Sequence, residues 1–436
     1  MLKNKATSDY LILGNSTAAV AAIESIRKTD RQGSITLVSN EPYHTYARPL
    51  ISYYLSGQVN DFQLPYRPRD FYQRNNVTTL LGVKAIELDV ENRQVFLEPS
   101  VLKAPPILNE AWYRNPSLIS EVVEYDKLLL ATGSRPAVPP LEGVNQPGIH
   151  YFYTLDDILS LKADLTPESS VVILGAGLIG MKAAEALSKL GCQVTVVEMA
   201  NRLMSTILDE EAASIIQKWF EENKVDFRLA IRAAKILGED RVSGVKLEDG
   251  SLLKCDTVII ATGVRPNYEL IQNTSIKYRQ GILVNGHQET SSQGIFCAGD
   301  VCEGWDLLHG QTKLTPILPN AFQQGQIAGL NMAGKPDLFL GSVAFNATTF
   351  FGLSVVTMGL SQARGEEFDC FSYAQGRDYR SLVFKEGRLN GAILLNQTQR
   401  SGILQRLIRQ KTAVLAKKEL LLRDIPRLID LDLAGL

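Results

Sequence analysis

Three glycines stand at the spacing that binds the pyrophosphate of a dinucleotide. The sequence GAGLIG, residues 175–180, directly follows a four-residue apolar run. Gly175 permits a tight turn, Gly177 lets the backbone approach a phosphate, and Gly180 lets the next helix pack close to the strand. Glu198 ends the following apolar run, where a carboxylate accepts from a ribose 2′-hydroxyl and repels a 2′-phosphate. The pattern therefore predicts a site for NADH in preference to NADPH.

A weaker turn of the same kind lies near the start of the chain. Gly14 keeps the tight turn, but Ser16 and Ala19 replace the second and third glycines. Serine and alanine are the smallest replacements, so a pyrophosphate can still approach where the backbone φ angle is negative. Glu41, or alternatively Asn40, is expected to bind the ribose of an adenosine. Alone, this pattern does not separate a dinucleotide site from an ordinary turn in a core.

A third motif favours a flavin dinucleotide at the first turn. Residues 290–300 read TSSQGIFCAGD, a predicted strand that delivers Gly299 and Asp300 to a position where the carboxylate can accept from a ribityl hydroxyl. A predicted helix over residues 320–332 follows, and its N-terminal amides are expected to face the N1 and O2 edge of a flavin. These donors would stabilise the negative charge of the reduced ring. The sequence thus predicts FAD in addition to NAD(H).

The elements that must position these motifs repeat one plan. Apolar runs at residues 9–13 and 35–38 flank a small-residue helix at 18–26, and the same order returns between residues 171 and 197. Each set is a βαβ unit, and two such units in one chain indicate two dinucleotides. Two further apolar runs each end in ATG, at residues 131–133 and 261–263.

The pattern changes after Gly334. Alternating strands are predicted at 345–358, 380–384 and 389–395, followed by a basic helix at 398–416, and together they indicate a separate C-terminal domain. A different stretch, residues 98–121, has several prolines beside Trp112 and Tyr113 but no clear period. It is either a surface excursion or a contact surface for another subunit.

Composition limits the classes of protein. The 436 residues, of which 45% are hydrophobic, suffice for two or three domains. Lys and Arg number 45 against 47 Asp and Glu, so no footprint for nucleic acid or an anionic membrane is expected. No apolar stretch approaches the roughly 18 residues of a membrane span. The five cysteines form no CxxC pair, so we expect a reducing cytoplasm, no disulfide framework, and no metal or iron-sulfur site within the chain.

The ordered motifs resemble those of the FAD-dependent pyridine nucleotide-disulfide oxidoreductase superfamily. The motifs are LGNSTAA, PYHTYARPLIS, LLATGSRP, GAGLIG with Glu198, IIATGVRPN, IFCAGDV and PNAFQQGQIAGLNMAG. The chain is most similar to NADH:rubredoxin and ferredoxin reductases, to the flavin part of nitrite reductase large subunits, and to flavoprotein electron-transfer subunits of 2-oxoacid:acceptor oxidoreductases. The resemblance covers nearly the whole chain.

This resemblance implies an α/β fold with two Rossmann-like dinucleotide-binding domains, for FAD and NAD, and a C-terminal α+β interface domain. The implied domains are residues 1–150 with 271–336 for FAD, 151–270 for NAD, and 337–436 for the interface. It also implies hydride transfer between nicotinamide and flavin across a gap of roughly 3 to 3.5 Å.

The residues expected to hold FAD are Gly14, Ser16, Ala19, Glu41, Arg48, Thr132, Gly133, Gly299, Asp300, Asn320 and Ala321. Those expected to hold NAD(H) are Gly175, Gly177, Leu178, Ile179, Gly180, Glu198 and Gly263.

Three departures from the superfamily pattern define the subtype. No cysteine precedes Cys192, so the thiol relay of disulfide reductases is absent. Tyr53 stands where related ferredoxin reductases carry a lysine near flavin N5, and Lys182 stands where the family usually has its glutamate partner. Lys182 either brings a cation toward the flavin and nicotinamide or extends from its helix to solvent. Tyr53 and Lys182 are therefore the candidate catalytic residues.

The acceptor is expected on another protein. Ferredoxin, rubredoxin or an iron-sulfur subunit of a complex would suit a flavin, which releases electrons singly. We expect either a complex subunit or a free-standing reductase, and a homodimer or a hetero-oligomeric complex. A flavoprotein that senses NADH without turnover is the alternative from a different class.

Overall fold

The structure is a computed structural model that describes residues 5–99, 121–423 and 431. Two compact units emerge. Unit 1 comprises Met1–Leu50, Val59–Arg135 and Arg265–Ser342, and unit 2 comprises Ile51–Gln58, Pro136–Val264 and Val343–Leu436. Unit 2 thus contains most of both the predicted NAD domain and the predicted interface domain; the three-domain division stays a prediction. Residues 100–120 of the 98–121 segment, which include Trp112 and Tyr113, lie outside the described residues.

Strands and helices alternate along most of the chain. The strands are β1 (Lys5–Leu13), β2 (Ile35–Ser39), β3 (Val77–Leu81), β4 (Val83–Asp89), β5 (Gln94–Pro99), β6 (Val122–Leu130), β7 (Ser134–Pro136), β8 (Ile149–Tyr151), β9 (Ser170–Leu174), β10 (Gln193–Val197), β11 (Val225–Arg228), β12 (Ala233–Leu237), β13 (Gly244–Leu247), β14 (Leu252–Lys254), β15 (Thr257–Ile260), β16 (Val264–Pro266), β17 (Ile282–Leu283), β18 (Ile295–Cys297), β19 (Cys302–Asp306), β20 (Gln311–Leu314), β21 (Phe345–Phe350), β22 (Leu353–Gly359), β23 (Asp369–Gln375), β24 (Asp378–Lys385) and β25 (Arg388–Leu395). The helices are α1 (Thr17–Thr29), α2 (Ile51–Leu55), α3 (Phe71–Arg74), α4 (Leu155–Asp164), α5 (Leu178–Lys189), α6 (Glu210–Glu222), α7 (Leu318–Met332), α8 (Ser401–Arg409) and α9 (Lys418–Arg423). Within the described residues, no helix is both long and apolar enough to cross a membrane.

Unit 1 is built on a seven-stranded sheet. The order is β3-β2-β1-β6-β5-β4, with β18 also paired to β6, and β1, β2, β3, β6 and β18 run parallel. Helices α1 and α7 pack tightly because Gly325 and Gly329 lack side chains: a Cβ at either would overlap the carbonyl oxygen of Ala18 or Ala22. This contact brings the starts of two helices to one edge of the sheet.

Unit 2 combines a parallel and an antiparallel sheet. The parallel sheet has the order β11-β10-β9-β15-β8, and the antiparallel one has the order β21-β22-β25-β24-β23. The short strands β12, β13 and β14 form a third sheet. The α/β class implied by the sequence is confirmed.

The predicted helix over residues 398–416 is wrong in its extent. Helix α8 ends at Arg409, and Lys411 has a positive φ of 50°. Ala413 instead forms a bridge with Arg388, and the amide of Val414 donates to the carbonyl of Gly387 at 3.0 Å. The chain leaves the helix because these backbone groups pair with the turn between β24 and β25.

Candidate active site

The GAGLIG turn joins β9 to α5 in unit 2, as the sequence predicts. Gly175 has a φ of 109°, and a Cβ there would overlap the carbonyl oxygen of Ala261. A Cβ at Gly180 would overlap the carbonyl oxygen of Gly175, whereas a Cβ at Gly177 would meet no atom within 4 Å. Gly175 and Gly180 are thus needed for the fold of the turn, and Gly177 leaves open space for a ligand. Helix α5 begins at Leu178 with no side-chain cap, so the amides near Leu178 and Ile179 suit a phosphate.

Glu198 lies beside this turn and is fixed by the backbone. Its Oε2 accepts from the amide of Ala176 at 2.7 Å, and its Oε1 accepts from the amide of Ala200 at 2.8 Å. A carboxylate has about four lone-pair positions, so acceptor capacity remains for ribose hydroxyls. Gly263 follows β15, the parallel neighbour of β9, and therefore lies at the same edge of the sheet. A Cβ at Gly263 would also meet open space.

The first turn, in unit 1, has the negative φ angle at Ser16 that lets a serine replace the second glycine. Gly14 has a φ of 120°, and a Cβ there would overlap the carbonyl oxygen of Ala131. Ser16 has a φ of −115°, so serine fits without strain, and its side chain makes no cap to α1. Ala19 is fully buried. The first turn thus keeps the shape of a dinucleotide turn without its second and third glycines.

Glu41 and Arg48 meet in unit 1, just beyond the end of β2. They form an ion pair, and the hydroxyl of Tyr46 donates to the second carboxylate oxygen of Glu41 at 2.5 Å. The side chain of Glu41 is largely shielded, whereas Asn40 is exposed. The ion pair places an anion suited to ribose hydroxyls next to a cation suited to phosphate. Tyr46 was not predicted.

Gly299 and Asp300 lie between the first turns of α1 and α7. At Gly299, a Cβ would lie 3.4 Å from the Cβ of Ala18 and 3.8 Å from the Cβ of Ala321. The amide of Gly299 donates to Oε1 of Gln324 at 2.8 Å, and the hydroxyl of Ser134 donates to Oδ2 of Asp300 at 3.1 Å. Gln324 and Ser134 were not predicted, although both lie within quoted motifs.

The remaining FAD candidates lie on the neighbouring loop and on α7. The hydroxyl of Thr132 donates to the carbonyl of Asn267 at 2.7 Å, and the amide of Asn267 donates to the carbonyl of Gly133 at 2.9 Å. Asn320 and Ala321, in the first turn of α7, are both buried. These contacts fix the loop against its neighbours within unit 1.

The starts of the helices expected to face cofactors have amides free of side-chain caps. Helices α4 and α6 are capped by the side chains of Thr154 and Asp209. No side chain caps α1, α5 or α7, the three helices expected to face cofactors, and α3 and α8 also lack a side-chain cap. Uncapped N-terminal amides with positive dipole ends favour negative groups. The residues present therefore fit FAD in unit 1 and NAD(H) in unit 2.

Tyr53 and Lys182 are in contact within unit 2. The ammonium of Lys182 lies 4.3 Å from the centroid of the Tyr53 ring and donates to the carbonyl of Thr349 at 3.2 Å. The Tyr53 hydroxyl shares a hydrogen bond of 3.3 Å with the hydroxyl of Thr349. Lys182 is only 16% exposed, so it does not extend to solvent. A cation over an aromatic ring thus occupies the two positions where the resemblance implies an ion pair.

Glu185 holds this lysine, and it was missed by the sequence analysis. Its carboxylate, 4% exposed, accepts from Lys182 at 2.5 Å, from Lys189 at 2.7 Å and from the amide of Phe351 at 2.8 Å. Burial acts to raise the pKa of Glu185, but the two lysines and the Phe351 amide outweigh burial and hold that pKa below its ordinary value. The spacing of Lys182, Glu185 and Lys189 on one helix was the available signal.

Comparison with known proteins agrees with this geometry. Residues 8–325 match the family model of pyridine nucleotide-disulphide oxidoreductases, and residues 345–412 match that of the rubredoxin NAD+ reductase C-terminal domain. The chain belongs to the pyridine nucleotide-disulphide oxidoreductase family. It is an oxidoreductase that uses FAD and NAD(H), as the sequence predicts.

Relatives within this family include subunits of larger enzymes. The NADH-dependent phenylglyoxylate dehydrogenase subunit epsilon of Aromatoleum evansii is 32% identical over 92% of both chains. The assimilatory nitrate reductase electron transfer subunit of Bacillus subtilis (strain 168) is 28% identical over 94% of this chain, which spans only half of that protein. Among solved structures, putidaredoxin reductase in its covalent complex with putidaredoxin has a TM-score of 0.86 at 22% identity, over 99% of both chains.

The chain departs from the disulfide chemistry that gives this family its name. Cys297 and Cys302, which flank the Gly299 turn, are buried free thiols, and Cys302 Sγ donates to Oε1 of Gln288 at 3.5 Å. Burial and the neighbouring Cys302 thiol raise the pKa of Cys297 well above its ordinary value, which disfavours a reactive thiolate. Among residues 5–99 and 121–423, no group of three or more metal-binding side chains is found.

The Glu185→Gln variant is expected to be less stable at neutral pH. A carboxylate with a lowered pKa stabilises the fold above its ordinary pKa, and this contribution is lost as pH falls through the lowered value. Removing the charge weakens the hydrogen bonds from the two lysines, which costs about 1.5 to 3 kcal/mol. The difference from the parent should shrink at acid pH.

Thermal melts over a pH series, with hydrogen exchange at the Phe351 amide as a local readout, measure this effect. Glu222→Gln is the matched control because Glu222 pairs with Arg377 at the surface, where such a pair contributes only up to about 1 kcal/mol. Equal stability of Glu185→Gln and the parent at neutral pH contradicts the role given to Glu185.

Proposed function

We propose that this oxidoreductase passes electrons between NADH and an iron-sulfur protein as the flavoprotein subunit of a larger complex. The observation that carries the proposal is the 32% identity to a dehydrogenase subunit over 92% of both chains. The match of residues 345–412 to a rubredoxin reductase domain supports an iron-sulfur partner. The cytoplasmic location expected from the sequence stays a prediction.

When bound, NADH supplies a hydride and FAD can pass electrons onward one at a time. The chain's own residues would bind the two cofactors and orient them. Glu198 would select a ribose without a 2′-phosphate, and the amides at the start of α5 would hold the pyrophosphate of NADH. In unit 1, Asp300 would accept from the ribityl chain, and Arg48 with Glu41 would hold the adenosine half of FAD.

Tyr53 and Lys182 are proposed to set the charge beside the nicotinamide that unit 2 would hold. Glu185 and the carbonyl of Thr349 fix the ammonium against the tyrosine, so its charge is partly compensated. Since the ammonium is locked in place, we expect it to act by electrostatics and not as a mobile proton donor.

Anaerobic assays with rubredoxin and ferredoxin as separate acceptors test this proposal. Loss of the visible absorbance of either oxidised iron-sulfur protein is expected on addition of NADH and catalytic amounts of the chain. A Cys297→Ala, Cys302→Ala double variant should behave like the parent because thiols carry no electrons here. Reduction of a dye without reduction of either protein, in both parent and variant, contradicts an iron-sulfur acceptor of this type.

A second candidate function, a free-standing reductase, is favoured by the C-terminal domain match. Purification of the tagged chain from its own cells distinguishes the complex subunit from the free-standing reductase. Co-elution with iron-containing subunits supports the complex, and elution alone with rapid turnover of free rubredoxin supports the free-standing reductase.

A further inference from the structure

Strands β21 and β22 of unit 2 are joined by a loop of only two residues, Phe351 and Gly352. Both residues have positive φ angles, of 48° and 85°. Two-residue hairpin loops of this kind normally have asparagine and glycine at these positions, because most side chains disfavour a positive φ. A phenylalanine with a φ of 48° is strained. Other contacts must therefore hold the β21–β22 loop in this conformation.

Helices α5 and α6 both bind the β21–β22 loop. On α5, the carboxylate of Glu185 accepts from the amide of Phe351 at 2.8 Å. On α6, the indole N–H of Trp219 donates to the carbonyl of Phe350 at 2.8 Å. The ring of Phe220 lies 5.3 Å from the ring of Phe350 and 5.1 Å from that of Phe351, measured between centroids. These contacts offset the strain and fix the loop.

Thr349, which precedes Phe350, contacts both candidate catalytic residues. Its carbonyl accepts from Lys182 at 3.2 Å, and its hydroxyl shares a hydrogen bond of 3.3 Å with the hydroxyl of Tyr53. Lys182 also donates to Glu185 and lies over the Tyr53 ring. An ammonium has three N–H donors, so these contacts leave Lys182 none for a ligand. Tyr53, which is half-buried, is therefore the member of the pair that can touch one.

We propose that Trp219 is a positioning residue for hydride transfer, acting through Thr349 and Tyr53. By anchoring the carbonyl of Phe350, Trp219 keeps the adjacent Thr349 hydroxyl on Tyr53 and so holds the tyrosine ring in one orientation. The inference rests on the proposed function in one respect, the place of Tyr53 beside the nicotinamide. It does not depend on the electron acceptor.

Trp219→Phe removes the N–H donor but keeps an aromatic ring. Anaerobic stopped-flow mixing of the flavin-loaded chain with NADH should show a limiting rate of flavin bleaching that is roughly 10-fold lower, since a misplacement of about 1 Å can slow a reaction by roughly 100-fold. The NADH concentration that gives half of this rate should stay within about two-fold of the parent value, because Glu198 is anchored by other groups.

Two variants of Thr349 examine the link between the β21–β22 loop and Tyr53. Valine has the shape of threonine without its hydroxyl, so Thr349→Val should be slowed like Trp219→Phe. Serine keeps the hydroxyl, so Thr349→Ser should react like the parent. Phe227→Leu is the matched control for stability, because the Phe227 ring packs against Phe220 at 6.2 Å between centroids. It should lower the melting temperature and leave the limiting rate unchanged.

Hydrogen exchange and fluorine NMR provide readouts without turnover. In the chain without NADH, exchange at the Phe351 amide should be faster in Trp219→Phe than in the parent. The signal of fluorotyrosine at position 53, assigned with Tyr53→Phe, should change in both Trp219→Phe and Thr349→Val. Unchanged exchange at the Phe351 amide in Trp219→Phe overturns the anchoring role.

Tyr53→Leu separates this inference from the proposed function. If Tyr53→Leu bleaches slowly but Trp219→Phe keeps the limiting rate of the parent, the positioning role of Trp219 is overturned and the proposed function stands. A parent-like rate in Tyr53→Leu overturns both the positioning role and the proposed place of Tyr53.

Discussion

The Asp300→Leu variant is expected to purify nearly colourless. The carboxylate of Asp300 lies on the turn after β18, where Ser134 orients it and Gln324 fixes the adjacent amide of Gly299. Loss of one charge-assisted hydrogen bond to a ribityl hydroxyl costs about 1.5 to 3 kcal/mol, a roughly 10- to 100-fold weaker affinity for FAD. Leucine also leaves the Ser134 hydroxyl without that acceptor. Flavin absorbance per chain, after release by denaturation, measures the loss.

Gly299→Trp should lose FAD for a different reason. Gly299 has a φ of 86° and lies against Ala18 and Ala321, so a large side chain both strains the backbone and fills the approach to two helix starts. Asp300→Asn is the matched control because it keeps the shape and one acceptor oxygen, and it should retain more flavin than Asp300→Leu. Circular dichroism checks that each variant is folded. Full flavin content in both disruptive variants would show that FAD binds elsewhere.

Glu198→Arg is expected to reverse the choice of nicotinamide cofactor. The carboxylate of Glu198 is fixed by the amides of Ala176 and Ala200, so it presents a negative charge beside the turn that would hold the pyrophosphate. Arginine removes the ribose acceptor and can pair with a 2′-phosphate. Losing the ribose contact costs about 1.5 to 3 kcal/mol, a roughly 10- to 100-fold fall in kcat/KM for NADH, while the value for NADPH rises.

Glu198→Gln separates charge from anchoring. The amide oxygen can keep one backbone contact and a ribose contact, but it no longer repels a 2′-phosphate. We expect NADH to be weakened less than in Glu198→Arg, and NADPH to be improved over the parent. Steady-state kinetics with a dye acceptor measure kcat/KM for NADH and for NADPH in each variant. An unchanged ratio of the two kcat/KM values in Glu198→Arg would place the ribose away from this residue.

The dinucleotide turns could be predicted because their chemistry is local. In GAGLIG, each glycine answers a steric demand that lies within a few residues or on an adjacent strand, as the close approach of Gly175 to the Ala261 carbonyl shows. The two βαβ units follow from the same short-range patterns. The contact between Tyr53 and Lys182 was suggested by resemblance, since those positions are partners in related proteins.

Other parts of the site depend on the packing of distant segments. Glu185 bonds the amide of Phe351, which lies far along the chain, and Gln324 bonds the amide of Gly299, which the fold brings near. Strand β23 escaped notice because nearly all its residues are exposed, so it has no apolar alternation. The end of α8 was misplaced because the basic, apolar pattern continues past Arg409 while the backbone pairs elsewhere.

Anaerobic stopped-flow mixing of the purified, flavin-loaded chain with NADH tests the central claim most directly. The account predicts a flavin absorbance that bleaches rapidly with NADH and slowly with NADPH, and that returns when an oxidised iron-sulfur protein is added from a second syringe. The Cys297→Ala, Cys302→Ala double variant should give the same two phases. A chain that binds FAD and NADH yet shows no bleaching would contradict the account and would indicate a flavoprotein that senses NADH without turnover.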